Sequence, residues 1–330
     1  MRRTFFLLCA GLTIAALRVP CAATEDTRLQ KIIQNWEVRL TPVKANIILG
    51  EPLWFRWDVA CKGIIGSYSI RLQLHPKPGE LPDTVHPFVD RTTEAELTKP
   101  FDVQEKRSGV GFSTFLVRHD LRHLTGDFHF QHCTPLGQSC DEKEAILSNV
   151  ITYHVRQPTG VDQELIEFAG GLDVVLSLMG FPVGSTEERA KLNGSSEQKM
   201  EVQEAVLARF PKSHYSPYIL LNRIQLERWA IVGQVGHASV DLAQAREMVK
   251  PRLERIISLS TAFLDQCPEH PLATDALFAR TWAETYLDRK PDANVDIARL
   301  RKLGSRLASV PIDPEKITWP ETSTRWPDFQ

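Results

Sequence analysis

The sequence predicts a two-part fold, an N-terminal antiparallel β-sandwich followed by an α-helical domain, and three observations lead to this prediction. Short stretches of alternating apolar and polar residues, separated by turn residues, recur between residues 36 and 155. After residues 157–160, Gln-Pro-Thr-Gly, the apolar period changes from two residues to nearly four, which is typical of amphipathic helices. With 330 residues, the chain is long enough for two domains of roughly 150 residues each.

The clearest predicted strand lies within Ile47 to Ala60 and is rich in aromatic residues. Phe55 and Trp57 fall on one face of this strand, and Trp54 and Arg56 fall on the other. We expect Phe55 and Trp57 in the core. Trp54 has two interpretations: it is buried against the helical half or a neighbouring loop, or it forms with Arg56 an aromatic platform that binds a sugar or a peptide.

Alternating patterns and flanking turns predict the remaining strands of a small β-sandwich. They cover Trp36–Val43, Asn46–Leu49, Ser67–Leu74, Gly111–Val117, Phe128–Gln131 and Val150–Val155.

Three turn sequences lead into these strands: Leu49-Gly50-Glu51-Pro52, Leu124-Thr125-Gly126-Asp127-Phe128 and Ser148-Asn149-Val150. With them, residues 34–157 resemble an immunoglobulin-like domain of the kind common in exported bacterial proteins. The resemblance implies a sandwich fold and no particular activity.

Helical patterns occupy most of the chain after residue 160. They cover Val161–Phe168, Leu172–Met179, Ser196–Phe210, a segment from Ser216 to about Gly233, Val240–Leu264, Leu272–Leu287 and Ile297–Leu307. Ser196 is the predicted cap of its helix. Pro251 is expected to kink or split the helix that contains it.

Two segments of the helical half align without a gap, 57 residues apart. The first runs from Phe210-Pro211-Lys212-Ser213 to Arg223, and the second from Cys267-Pro268-Glu269-His270 to Arg280. They resemble the helical hairpins of tetratricopeptide-like (TPR-like) arrays, although the spacing departs from the usual repeat of 34 residues. The resemblance implies a TPR-like domain over residues 160–310. Residues 311–330, with Trp319 and Trp326 among prolines, are predicted to form an extended tail.

The first 23 residues have the pattern of an export signal. Arg2 and Arg3 precede an apolar run, and Cys21-Ala22-Ala23 offers small residues for cleavage. An ordinary secretory signal and a twin-arginine signal both remain open. We expect an exported protein, periplasmic or extracellular and soluble, with no transmembrane segment in the mature chain.

The net charge narrows the possible partners. Without Arg2, Arg3 and Arg18, the chain has 36 basic and 41 acidic residues, a formal charge of −5, so no nucleic-acid partner is expected.

An oxidising compartment permits disulfides. We predict Cys133–Cys140 as a loop staple, with Cys61–Cys133 as the alternative pairing and buried thiols as a third possibility.

No motif predicts catalysis in a secure context. His119-Asp120-Leu121-Arg122-His123 resembles the HExxH zinc helix, but aspartate replaces the glutamate that activates water, so His119 and His123 are only weak metal candidates. No cofactor is expected. The sequence therefore favours a non-catalytic protein that binds a protein or peptide partner in the cell envelope. The alternatives are a carbohydrate- or envelope-polymer-binding accessory protein and a metal-dependent hydrolase.

Overall fold

The structure, a computed structural model, describes residues 33–62, 74–76, 85–89, 106–117, 125–135, 145–181, 195–235 and 242–303. Its N-terminal half is built from strands and its C-terminal half from helices, as predicted. The described strands are β1 (Trp36–Pro42), β2 (Asn46–Ile48), β3 (Leu53–Cys61), β4 (Leu74–Pro76), β5 (Val85–Val89), β6 (Lys106–Val117), β7 (Gly126–Pro135), β8 (Ala145–Leu147) and β9 (Ile151–Arg156).

The strands form two sheets. The first has the order β1-β3-β6-β5 and is antiparallel throughout. The second has the order β2-β9-β7-β4, with β8 paired to β7. In this sheet β2 pairs parallel with β9, so the predicted antiparallel arrangement holds for every described strand pair except this one. After Pro42 the chain leaves the first sheet. Strand β2 then joins the second sheet beside β9, and the two strands run in the same direction.

The β3 strand supplies the centre of the β half. Phe55, Trp57 and Val59 are buried while Arg56 and Asp58 are exposed, which confirms the alternation predicted for this strand. Trp57 lies opposite Gly109 of β6. A Cβ at Gly109 would lie 2.5 Å from the indole ring, so glycine leaves the space that Trp57 occupies.

The outer edge of β1 is covered by the segment that precedes β9. Ser148 forms a parallel bridge with Val38. The Asn149 side chain accepts a hydrogen bond from the backbone N–H of Leu40 at 2.8 Å and donates one to the Leu40 carbonyl at 2.9 Å. Asn149 therefore satisfies the backbone groups that another strand would otherwise pair with.

Seven helices are described: α1 (Val161–Ala169), α2 (Leu172–Leu178), α3 (Ser196–Arg209), α4 (Ser216–Val235), α5 (Leu242–Gln266), α6 (Ala273–Tyr286) and α7 (Lys290–Lys302). From α3 onward each helix packs on the next, and α4 also contacts α6. α7 begins earlier than the predicted Ile297, because Pro291 is tolerated in its first turn.

Two other details of the helices differ from the prediction. The cap of α3 is Ser195 rather than Ser196: its hydroxyl accepts the Gln198 N–H, and the Gln198 side chain accepts the Ser195 N–H. α5 continues through Pro251 without a break. Proline has no backbone N–H, so the carbonyl of Glu247, four residues earlier, lacks its helical partner. Both residues lie on the exposed face of the helix, where water can satisfy that carbonyl.

Replacement of Gly109 by alanine is expected to lower the free energy of unfolding by about 1–3 kcal/mol, because the new methyl group overlaps the Trp57 ring. Urea denaturation followed by tryptophan fluorescence measures the change. Gly233→Ala is the matched control: it lies in α4 with open space around its Cβ position, and alanine there should stabilise the helix by about 0.5–1 kcal/mol. A Gly109→Ala variant as stable as the unmodified chain would contradict this account of the strand pair.

Candidate functional site

Trp54 lies where the β half meets the helices. Its side chain is only 8% exposed, and its indole Nε1–H donates to the hydroxyl of Tyr218 in α4 at 3.0 Å. The hydroxyl of Tyr153 in β9 donates to the Trp54 carbonyl at 2.8 Å. Trp54 thus packs against the helical half, which was one of its two interpretations. A ring so well covered does not form an exposed platform, whereas Arg56 on the same strand is exposed.

His270, in the turn before α6, completes an aromatic cluster at this junction. Its ring makes edge contacts with Trp54, Tyr218 and Phe263, at centroid distances of 6.0, 5.2 and 5.7 Å. Its Nδ1 accepts the backbone N–H of Leu272 at 3.1 Å. Burial and the nearby Lys44 lower the pKa of His270 to about 4, so the ring is neutral at physiological pH and serves as a packing group.

The turn between β2 and β3 forms a second contact between the halves. Gly50 has a φ of +92°, and a Cβ there would lie 3.1 Å from Leu172 and 3.3 Å from Leu176. The hydroxyl of Tyr215 donates to the Leu49 carbonyl at 2.6 Å. Glycine is therefore needed at position 50 both for its backbone conformation and for the close approach of the helices.

The same turn carries a buried acid. Glu51 is 5% exposed, and its carboxylate accepts hydrogen bonds from the Ile48 N–H at 2.8 Å and from Lys44 Nζ at 2.9 Å. These partners compensate the cost of burying the charge. Burial and the nearby Glu51 charge both raise the pKa of the Tyr218 hydroxyl, so that group remains protonated as it accepts from Trp54.

The two aligned turns of the helical half share one hydrogen-bond pattern. In the first, the Ser213 N–H donates to the Phe210 carbonyl, and the Ser213 hydroxyl accepts the N–H of Tyr215. In the second, the His270 N–H donates to the Cys267 carbonyl, and His270 Nδ1 accepts the N–H of the residue two positions on. The alignment at an offset of 57 residues therefore corresponds to a repeated local structure.

A serine, a histidine and an aspartate meet at the first of these turns, yet they are not arranged for nucleophilic catalysis. The Ser213 hydroxyl donates to Asp162 at 2.7 Å, and His214 Nδ1 contacts the other oxygen of that carboxylate at 2.8 Å. In a catalytic triad the histidine lies between the serine and the acid. Here the acid lies between the other two, and Ser213 is 3% exposed, so the cluster ties the start of α1 to the turn before α4.

Each aligned segment ends at an arginine, and a glutamate follows four residues after it in the same helix. Both arginine–glutamate pairs belong to buried ion networks. In the first network, Glu227 contacts Arg223 at 2.6 Å and Arg252 of α5 at 2.7 Å, with Arg255 farther away at 3.7 Å. Sequence reasoning found Arg223 and missed Glu227. Extending the alignment by four residues would have found it.

The second network has more acids than bases. Arg280 makes two hydrogen bonds to Asp296 of α7, at 2.6 and 2.7 Å, and lies 3.8 Å from Glu284. Glu284 is 6% exposed. Burial and then the Asp296 charge raise the pKa of Glu284 to about 7, against the opposing effect of Arg280. Glu284 therefore carries a proton over much of the acidic range.

A large aromatic side chain reaches solvent near the end of α4. Trp229 is 56% exposed. The residue before it, Arg228, stacks on Trp282 of α6, with its guanidinium carbon 4.6 Å from the ring centroid. Trp282 in turn contacts Tyr286 at a centroid distance of 4.6 Å. Trp282 and Tyr286 are only 9% and 6% exposed, so the stack lies beneath the surface and Trp229 is the aromatic ring of this group that reaches solvent.

The other predicted site residues have mixed outcomes. Cys133 is disulfide-bonded, and Cys61 is a buried thiol, so the Cys61–Cys133 pairing is wrong. The Cys133–Cys140 pairing stays a prediction, since Cys140 lies outside the described residues, as do His119 and His123. Among the residues that the structure describes, no group of three or more His, Cys, Asp or Glu side chains is placed to hold a metal ion.

Replacement of Tyr218 by phenylalanine is expected to destabilise the protein by about 1–3 kcal/mol, because the buried Trp54 indole loses its acceptor. Urea unfolding of Tyr218→Phe, Trp54→Phe and the double variant forms a cycle. The double variant should be more stable than the sum of the single effects predicts. Strict additivity would show that the hydrogen bond does not couple the two halves.

The folded-state pKa of Glu284 is above its ordinary value of 4.5, which fixes the sign of a pH effect. Between about pH 4.5 and 7 the unfolded chain releases this proton and the folded chain keeps it, so the free energy of unfolding falls as pH rises. Glu284→Gln removes this contribution. It should match the unmodified protein near pH 4 and exceed it at pH 8 by about 1–3 kcal/mol.

Denaturation curves across this pH range test the expectation, with Glu204→Gln on the exposed face of α3 as the control. The Glu204→Gln curve should run parallel to that of the unmodified protein. If Glu284→Gln gave the same pH dependence as Glu204→Gln, the buried acid pair would not control stability.

Comparison with known proteins adds no relative from which a role could be transferred. No protein-family model matches the chain, and no curated protein matches it. In the described part of the chain, no helix combines the length and the apolar character that crossing a membrane requires. The geometry of the described residues is therefore the basis for assigning a function.

Proposed function

We propose that this chain is an exported, non-catalytic protein that binds a protein or peptide partner at the cell envelope through its helical half. The observation that carries the proposal is Trp229, a large aromatic side chain that is 56% exposed on α4 above the buried Arg228–Trp282 stack. Tryptophan, tyrosine and arginine are the residues most enriched in the energetic centres of protein interfaces.

The rigidity of α4 makes this surface suitable for recognition. Tyr215, just before the helix, and Tyr218, in its first turn, are hydrogen-bonded to the β half. The first turns of α4 are buried nearly all round, and only its later part, with Trp229, reaches solvent. A side chain held on a fixed helix loses less conformational entropy on binding than one on a loop.

Two features support the finer description of the domains. The orders β1-β3-β6-β5 and β9-β7-β4 correspond to the A-B-E-D and G-F-C sheets of immunoglobulin constant-type domains. The two helical pairs, α4 with α5 and α6 with α7, follow turns of the same structure, which supports a TPR-like array. The signal-like first 23 residues support export.

The alternative functions have less support. The carbohydrate-binding hypothesis relied on Trp54 as an exposed platform, and that ring is covered by Tyr218 and His270. The hydrolase hypothesis relied on His119 and His123, which lie outside the described residues.

Photo-cross-linking tests the proposal. A benzoylphenylalanine placed at position 229 of the full chain, illuminated in an envelope fraction of the source organism, should capture a discrete protein. The same group at Val295, an exposed aliphatic position on α7, should not capture it. The partner is then identified by mass spectrometry and its affinity measured.

Trp229→Ala should weaken that affinity at least tenfold, and Val295→Ala should leave it unchanged. Identical products from both positions, or none from position 229, would contradict the proposed surface.

A further inference from the structure

The ion network around Glu227 has an excess of positive charge. Its carboxylate oxygens are occupied by Arg223 at 2.6 Å and Arg252 at 2.7 Å. Arg255 reaches the same carboxylate only at 3.7 Å, beyond hydrogen-bond distance. Three guanidinium groups thus share one carboxylate, which leaves a formal charge of +2 at this place in a protein whose overall charge is negative.

The excess charge faces solvent. Glu227 and Arg223 are 1% and 4% exposed, whereas Arg252 and Arg255 on α5 are 25% and 54% exposed. Within the described residues, Arg255 makes no other ion pair. Its guanidinium therefore keeps its donors available beside a second arginine whose orientation is fixed by a buried acid.

The second repeated segment shows that this excess is particular to the first. There Arg280 is matched by two acids, Asp296 and Glu284, which leaves a formal charge of −1 when both are ionised. The next helix in each case supplies the difference: α5 contributes two arginines to the first network, and α7 contributes an aspartate to the second. The basic site is therefore not a general consequence of how these helices pack.

From this geometry we propose that Arg252 and Arg255 form a binding site for the carboxylate side chains of an acidic peptide segment. A planar guanidinium binds a carboxylate through two parallel hydrogen bonds, and a pre-oriented pair of them favours clustered acids. The inference rests on the proposed function, because it assigns the chemical character of the protein partner. The proposed site lies on a different side of α4 from Trp229. Arg252 and Arg255 contact Glu227, and Glu227 and Trp229 are two residues apart on the helix, so they point to different sides.

The test uses the full chain and a fluorescein-labelled hexaglutamate peptide, with binding followed by fluorescence anisotropy at low salt. Binding should weaken about tenfold in Arg255→Ala and partly recover in Arg255→Lys. Lys250→Ala is the control, because it removes an equal charge from an exposed position on the same helix. It should change the affinity less than twofold.

Equal weakening by Arg255→Ala and Lys250→Ala would show a diffuse charge effect and overturn the assignment. So would binding of hexaglutamine with the same affinity, or an absence of hexaglutamate binding. Tighter binding of an inorganic hexaphosphate would reassign the site to a phosphate-bearing ligand and also overturn it. These results are distinct from failure of the cross-linking experiment at Trp229, which tests whether a protein partner exists.

Discussion

The hydrogen bond from the Trp54 indole to the Tyr218 hydroxyl joins a strand and a helix that are 164 residues apart in sequence. Around it, His270 is held among aromatic rings, and Tyr215 is bonded to the turn at Gly50. Buried side chains form one continuous core from the sheets into the helices. Because both halves contribute to this core, the orientation of α4, and of every helix stacked after it, depends on the junction.

This dependence distinguishes the molecule from two domains on a flexible linker. The junction fixes one end of α4, and the other end carries Trp229 into solvent. The ion network around Glu227 then joins α4 to α5 through hydrogen bonds in a buried setting, where losing one partner is costly. A recognition surface made from these helices would meet its partner already organised, so little ordering entropy would be lost on binding.

The sequence predicted most of the secondary structure because local patterns determine it. Phe55 and Trp57 follow a period of two, and their burial confirms the prediction. Strand β8 was missed because its three residues, Ala145–Leu147, are all apolar and show no alternation. The candidate site was harder to predict. Whether Trp54 is buried depends on Tyr218, and the role of His270 depends on three rings from distant segments, which no local pattern encodes. Pro251 was misjudged because its effect depends on which face of α5 it occupies.

Asn149 has a consequence for how the protein can recognise others. Many proteins with exposed sheet edges bind extended peptides by adding a strand, and the same edges promote aggregation when they are left open. In this chain one side-chain amide satisfies both backbone groups of Leu40, and the Ser148 bridge covers Val38 beside it. A visiting strand would have to displace both contacts before it could pair with β1. That barrier to strand addition protects the chain from self-association along this edge.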